Sequence, residues 1–211
     1  MTDTAFSAQD FADLPDVSRE TFEHFQAYDA LLSKWNRKIN LVSPAAAKDF
    51  WGRHALDSWQ ITPLLPSKTQ TVIDLGSGAG FPGIAVAIAL KHRGQGGRIT
   101  LVESAGKKAT FLRTVIRELA LPATVWGGRA EDIPPQRFDI ITARAFAPLP
   151  RLFTYAHPFW GQGTQALLLK GQGASQELTD ASQRWIYNVT THKSQSNPTG
   201  VILKISDLAP K

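Results

Sequence analysis

The segment Val72-Ile73-Asp74-Leu75-Gly76-Ser77-Gly78-Ala79-Gly80-Phe81-Pro82-Gly83 constrains the fold of this chain more than any other. An apolar run ends in an acid, glycines follow at alternate positions, and a second apolar run extends from Ile84 to Leu90. That order predicts strand, tight turn and helix. Glycine accepts positive φ and lets a ligand approach bare backbone, so a strand emptying into such a turn can hold a nucleoside at the carboxyl edge of a sheet.

The spacing narrows the ligand. A dinucleotide fingerprint, G-x-G-x-x-G, needs its third glycine at position 81, where helix packs on strand and a pyrophosphate meets the helix N-terminus. Phe81 stands there instead. Gly76-x-Gly78-x-Gly80, with Asp74 two residues ahead, resembles motif I of Rossmann-like S-adenosylmethionine methyltransferases, whose ligand has no pyrophosphate. Alone, a glycine triplet is also compatible with a plain structural turn. Glu103 favours the cofactor site, because Arg98-Ile-Thr-Leu-Val102 reads as the next strand and ends in an acid at the distance expected of a ribose-hydroxyl acceptor.

The 211 residues suit one domain with an appendage, and a 43% hydrophobic share is enough for a core. No apolar stretch is long enough to span a bilayer. Asp3, Asp10, Asp13 and Asp16 precede the first cation, Arg19, a charge order opposite to that of a signal peptide. The expected location is the cytoplasm, away from membranes. Without cysteine the chain has no disulfide, no thiolate metal site and no cysteine nucleophile of the kind pyrimidine C5 methylation uses; no metal is expected. A net charge of +5 points modestly to a polyanionic partner.

Residues 1–16 read as a flexible acidic tail. Residues 17–66 read as an N-terminal helical cap. Ser18 caps a helix that carries Glu20 in its first turn and Phe22, Phe25, Leu32 and Trp35 on one face; a second helix-like segment runs from about Ala45 to Gln60. Over 67–211 strand and helix patterns alternate. Strands are expected near 71–75, 98–102, 123–126, 138–142 and 165–170, with a closing pair near 185–191 and 201–205. The predicted fold class is α/β, a mostly parallel seven-stranded sheet of the Rossmann-like S-adenosylmethionine-dependent methyltransferase kind. Ile84–Leu90 is apolar all round and so buried, whereas Lys107–Leu119 is amphipathic.

In such a sheet the ligand groups come from loops at the carboxyl ends of strands. The third strand is followed by Arg129-Ala130-Glu131-Asp132, a polar turn suited to adenine; the fourth by Arg144-Ala145-Phe146-Ala147; the fifth by Lys170-Gly171-Gln172. Any single Arg or Lys is most often an ordinary exposed cation. Arg129, Arg144 and Lys170 at successive strand ends nevertheless predict one anion-facing rim. The fourth strand lacks the Asn/Asp-Pro-Pro-Tyr/Phe pattern of adenine-N6 methylating enzymes, which disfavours that target. Guanine N7 fits better, since its in-plane lone pair is unprotonated at neutral pH and its methylation needs alignment rather than a general base. A cation bound to both N7 and O6 would block the nucleophile, so pocket cations are expected to hold O6 or phosphate. Because N7 lies in the deep groove of A-form RNA, an RNA substrate must present an unpaired or splayed base.

These residues together resemble the RsmG/GidB family of bacterial small-subunit ribosomal RNA methyltransferases. The similarity covers nearly the whole chain from about Tyr28: Lys34-Trp35-Asn36, Arg53-His54-x-x-Asp57-Ser58, the glycine loop, Glu103-Ser104-x-Gly106-Lys107-Lys108, Arg129-x-Glu131, Thr142 with Arg144-Ala145-Phe146-Ala147, and Lys170-Gly171-Gln172. The resemblance implies transfer of a methyl from S-adenosylmethionine to N7 of a guanine in the 530 loop of 16S ribosomal RNA, position 527 in the usual bacterial numbering. It implies cofactor contacts from Gly76, Phe81, Ala130, Glu131 and Arg144, to which the motif reading adds Asp74, Gly78, Gly80 and Glu103. It further implies positions near the substrate pocket for Arg129 and Lys170, and the residue reading adds Arg144, which with Lys170 would orient base and phosphate. The partner would be 16S rRNA or the small ribosomal subunit, met by a monomer. An arginine that the family usually has before its last strand is replaced by Asn197-Pro198-Thr199-Gly200. His54 and Asp57, one helical turn apart, read as holding the cap to the core. Two other readings compete. One is methylation of a small molecule, which a lid or apolar pocket would favour. The other is a non-catalytic RNA-binding assembly factor, which the intact glycines and Glu103 oppose.

Overall fold

The computed structural model describes residues 6–211. Its first element, α1 (Ala8–Ala12), starts from a reciprocal box in which Ser7 and Asp10 cap each other's backbone N–H. The first five residues of the expected acidic tail lie outside the described residues. The rest of the tail is not loose, because Phe11 is fully buried and packs on Phe25, Trp51 and Trp59 with ring centroids 4.7, 5.5 and 6.4 Å away. An aromatic of this size gives a five-residue helix enough buried surface to dock.

Helix α2 (Arg19–Asn36) begins at Ser18, whose hydroxyl accepts the Thr21 N–H at 3.1 Å. Phe25, Tyr28 and Leu32 face inward, with Phe22 and Trp35 packed beside them. The helix expected over 45–60 is instead broken. Helix α3 (Pro44–Ala47) is followed by a π-helical turn at Trp51–Leu56 and the short α4 (Asp57–Trp59). The wider π turn carries an extra residue per turn and rotates the residues beyond it about the helix axis, a device frequent at functional sites.

The seven-stranded sheet has the order β3-β2-β1-β4-β5-β7-β6. Its strands are β1 (Thr71–Leu75), β2 (Arg98–Val102), β3 (Ala123–Trp126), β4 (Ile140–Arg144), β5 (Gln165–Lys170), β6 (Trp185–Lys193) and β7 (Val201–Pro210). The first five run parallel; β7 is antiparallel to β5, and β6 to β7. Strand β4 starts two residues later than expected, because Asp139 turns its carboxylate to the Gln70 and Thr71 N–H groups at 2.8 and 2.9 Å. The order reverses between β1 and β4, and at such a switch point a ligand crevice opens beyond the carboxyl ends.

Helices α5 (Gly83–Arg93) and α6 (Gly106–Glu118) lie with the cap on one face, and α7 (Leu149–Ala156) and α8 (Ala174–Ser182) on the other. Helix α5 is buried from Gly83 through Leu90, so the sheet covers one side and the cap must cover another. One continuous cluster joins Phe11, Phe25 and Tyr28 of the cap to Val72, Ile84–Leu90 and Phe111 of the α/β region. Among the described residues no helix is long and apolar enough to cross a membrane.

Phe11→Ala should therefore lower global stability by about 3–5 kcal/mol, as removal of a fully buried aromatic does. Urea unfolding checks this; a change under about 0.5 kcal/mol would mean the segment is undocked in solution.

Candidate active site

The turn after β1 is shaped by three glycines at positive φ: Gly76 at 70°, Gly78 at 59° and Gly80 at 103°. A Cβ on Gly76 would stand 2.3 Å from the Phe146 ring, and one on Gly80 would meet Ile84 at 2.5 Å and the Tyr28 hydroxyl at 2.7 Å. Above Gly78 the space is open, its nearest neighbour being the Gly76 carbonyl at 3.9 Å. Glu103, at the end of β2, is nearly buried and accepts the Gly78 N–H at 2.8 Å and the Ala105 N–H at 2.7 Å. Each carboxylate oxygen keeps a second lone pair for another donor.

These groups line a cavity of about 880 Å³ that also takes in Phe81, Ala130, Glu131, Arg129 and Arg144. Two expected cofactor residues do not line it. Gly80 is a packing glycine against Ile84, Tyr28 and Leu112. Asp74 is fully buried behind the loop, where Oδ1 accepts the Thr142 hydroxyl at 2.7 Å and Oδ2 lies against Gly83. Burial raises the Asp74 pKa to about 6, against the opposing effect of its hydrogen bonds from Ser77 and Thr142 and of the Arg144 charge. Its contribution is to the strand-to-turn geometry. The loop is also tied to the cap, since the Tyr28 hydroxyl donates to the Ala79 carbonyl at 2.5 Å.

The π turn brings His54 flat onto Phe81, with ring centroids 4.4 Å apart and planes at 11°. The Arg144 guanidinium lies 5.0 Å from the Phe81 ring centre. It donates to Asp57 Oδ2 at 2.9 Å, the Arg53 carbonyl at 3.1 Å and His54 Nδ1 at 3.2 Å. Arginine has no acceptor, so His54 Nδ1 must be unprotonated. Burial, then the Arg144 and Arg53 charges, push the His54 pKa down to about 3, which keeps the ring neutral. His54 and Asp57 thus join the cap to the core as expected, with Arg144 as the core's half of the joint.

A second cavity, of about 990 Å³, opens on the other side of the Arg144–Pro148 segment, which lines both. Lys170 belongs to this second cavity alone, and Arg129 to the first alone. The expected single rim of three cations is therefore split in two by the β4–α7 segment, and only Arg144 reaches both sides. Lys170 is moreover neutralised from within. Its ammonium donates to Glu177 Oε2 at 2.8 Å and to the Ala147 carbonyl at 2.7 Å, and the same carboxylate oxygen accepts the Leu149 N–H at 2.8 Å. The β6–β7 turn also lines this cavity and is tied to the cap. Asp57 Oδ1 accepts the Ser196 hydroxyl at 2.5 Å, and Gln60 bonds Ser194 and the Gln195 N–H. Sequence reasoning missed Glu177, Gln60 and Ser196, for which no motif existed. It also left Phe146 without a role, although the residue follows a strand end already singled out.

A glycine turn at the switch point of a mostly parallel sheet, an acid after β2 and a helical cap define a Rossmann-like methyltransferase fold. Solved structures agree. An O-methyltransferase from Bacillus cereus in complex with SAH superimposes with a TM-score of 0.61 at 16% identity, covering 96% of this chain and 98% of that one. A fibrillarin/Nop5p complex gives 0.54 at 12% identity, covering 71% and 82%. The family model for rRNA small subunit methyltransferase G (GidB) matches residues 21–200. Proteins named ribosomal RNA small subunit methyltransferase G from Parvibaculum lavamentivorans and Bartonella tribocorum are 45% and 47% identical. They cover 95% and 92% of this chain, and 89% and 92% of their own lengths are matched. The chain belongs to the rRNA small subunit methyltransferase G family.

The buried Asp74 gives a pH signature. Its folded pKa of about 6 lies above the ordinary 3.8, so between these values the folded state binds the proton more tightly and its stability falls as pH rises from about 4 to about 6. Asp74→Asn has no such proton to lose. Urea denaturation at pH 4.5 and pH 7 should show the variant gaining on the parent at the higher pH; a constant difference would contradict the raised pKa.

Proposed function

We propose that this protein transfers a methyl group from S-adenosylmethionine to N7 of a guanine in 16S ribosomal RNA, at the position its family's resemblance implies in the 530 loop. It acts as a cytoplasmic monomer on naked rRNA or the small subunit. The observation that carries this reading is the shared wall. Arg144 through Pro148 border both a cavity with a glycine turn and a buried acid and a second cavity lined by cap residues, Lys170 and the β6–β7 turn.

The first cavity fits the cofactor on two counts. Gly78 leaves open the space a side chain would fill, and Glu103 is fixed by two backbone N–H groups with lone pairs to spare. Gly76, Gly78 and Phe81 would border the methionine part, Glu103 would accept the ribose hydroxyls, and Ala130-Glu131 would hold adenine. When bound, S-adenosylmethionine supplies an electrophilic methyl on a sulfonium cation. The chain's own task is alignment and exclusion of water, for N7 is already a free nucleophile. The groups beside the wall suit that task. Arg144 cannot accept a proton, His54 is neutral and bonded to it, and the Asp57 and Glu177 carboxylates are occupied by Arg144 and Lys170. Arg144 and Lys170 thereby hold the wall in place from its two ends, and Arg129 stands exposed on the cofactor side. The small-molecule alternative gains nothing from this arrangement.

Charge-assisted hydrogen bonds are worth about 1.5–3 kcal/mol, so Glu103→Ala should weaken S-adenosylmethionine binding roughly tenfold to a hundredfold by calorimetry. An effect below twofold would place Glu103 outside the binding contacts.

The reaction is tested by tritium transfer from labelled cofactor to 16S rRNA and to small subunits that lack the methyl. N7-methylguanine is labile to reduction and aniline, so label should coincide with strand scission at one guanine. The rate should have no basic limb from a catalytic base. Label on adenine, cytosine or ribose without scission would overturn the N7 assignment.

A further inference from the structure

Four cationic or imidazole side chains border the second cavity: Arg53, His54, Arg144 and Lys170. Three are committed inside the protein. Lys170 is paired with Glu177, Arg144 with Asp57, and His54 is neutral beneath Arg144. Arg53 is different. Its side chain is exposed and, among the described residues, makes no hydrogen bond or ion pair; only its main chain is engaged, accepting from Arg144 and donating to Asp49 at 3.2 Å.

The position of Arg53 is also fixed more firmly than that of an ordinary surface arginine. It belongs to the π turn at Trp51–Leu56, flanked by buried Gly52 and His54, and its carbonyl is one of the three acceptors that hold the Arg144 guanidinium. A Cβ on Gly52 would meet Asp49 Oδ1 at 2.8 Å, so the turn is tightly packed immediately before Arg53. The chain therefore holds the root of this side chain rigidly at the cavity margin while leaving its head unpaired. Internal partners have taken the other cations out of service, and the Asp49 carboxylate at the same margin is turned to the Gly52 N–H at 3.1 Å. A planar fork of donors without a carboxylate is the group suited to a phosphate oxygen.

We propose that Arg53, contributed by the cap, is the cation that grips a phosphate of the RNA segment entering the second cavity. This rests on the proposed action on rRNA and deepens it, since it moves the phosphate contact from Lys170 and Arg144 to a residue of the N-terminal cap. The reacting base is then held between a cap that grips backbone and a core that carries the cofactor.

The test is the salt dependence of binding to 16S rRNA and to small ribosomal subunits lacking the methyl. Each phosphate neutralised adds close to one to the slope of log K against log salt. Arg53→Ala should bind the RNA several-fold to tenfold more weakly at low salt, with a slope shallower by about one, and S-adenosylmethionine affinity within twofold of the parent. Arg53→Lys should keep the slope. Arg98→Ala, an exposed cation at the start of β2 and away from both cavities, should change neither. An Arg53→Ala protein that keeps the parental slope and RNA affinity would overturn this assignment while leaving the methylation reaction standing. Failure of the parent protein to methylate either RNA would overturn the reaction instead, and the binding slopes still decide the role of Arg53.

Discussion

The structure depends on a helix with no polar face. Helix α5 is apolar throughout Ile84–Leu90, so contact with the sheet on one side leaves apolar surface that water would otherwise meet. The cap supplies the missing cover, and from that requirement much of the site follows. Once Phe25, Tyr28 and Leu32 are packed on this layer, the Tyr28 hydroxyl reaches the Ala79 carbonyl and the glycine turn is held from outside as well as from its own strand. The same packing delivers His54 to Phe81 and Asp57 to Arg144. The cap is therefore part of the site's construction.

Charge is distributed by the same logic. A largely buried cation costs less when a carboxylate and a carbonyl accept from it, and Arg144 and Lys170 have both. Their partners lie in different elements, so each ion pair joins parts of the chain that the backbone does not. Arg144 links β4 to α4, while Lys170 links β5 to α8 and, through Ala147, to the wall between the cavities. Both cations serve geometry, and the +5 net charge of the chain leaves others free for a polyanion.

The α/β architecture was legible because its signals are local. The five parallel strands are short apolar runs with punctuated ends, and four of them span the residues expected; β4 shifted because Asp139 acts as a side-chain cap to the start of β1. Spacing singled out Glu103, Gly76 and Gly78, which line the first cavity, and equally Gly80 and Asp74, which do not and are packed behind the turn. The π turn was not legible, since an extra residue in a helical turn leaves no compositional trace. Nor was the pairing of Lys170 with Glu177, because the chain between them leaves a strand, crosses a loop and enters a helix, so no single element's period relates the two. The docking of α1 rested on one aromatic, Phe11, in a segment otherwise polar and acidic.

The single cluster that runs from Phe11 to Phe111 has a thermodynamic consequence. Because cap and sheet share one core, opening either exposes the apolar surface of both, and the two regions unfold as one cooperative unit. A ligand that binds only the folded turn then stabilises every residue of that unit by mass action, including those far from any contact with it. Protection of the α1 backbone against protease or hydrogen exchange thus becomes a remote gauge of how full the first cavity is.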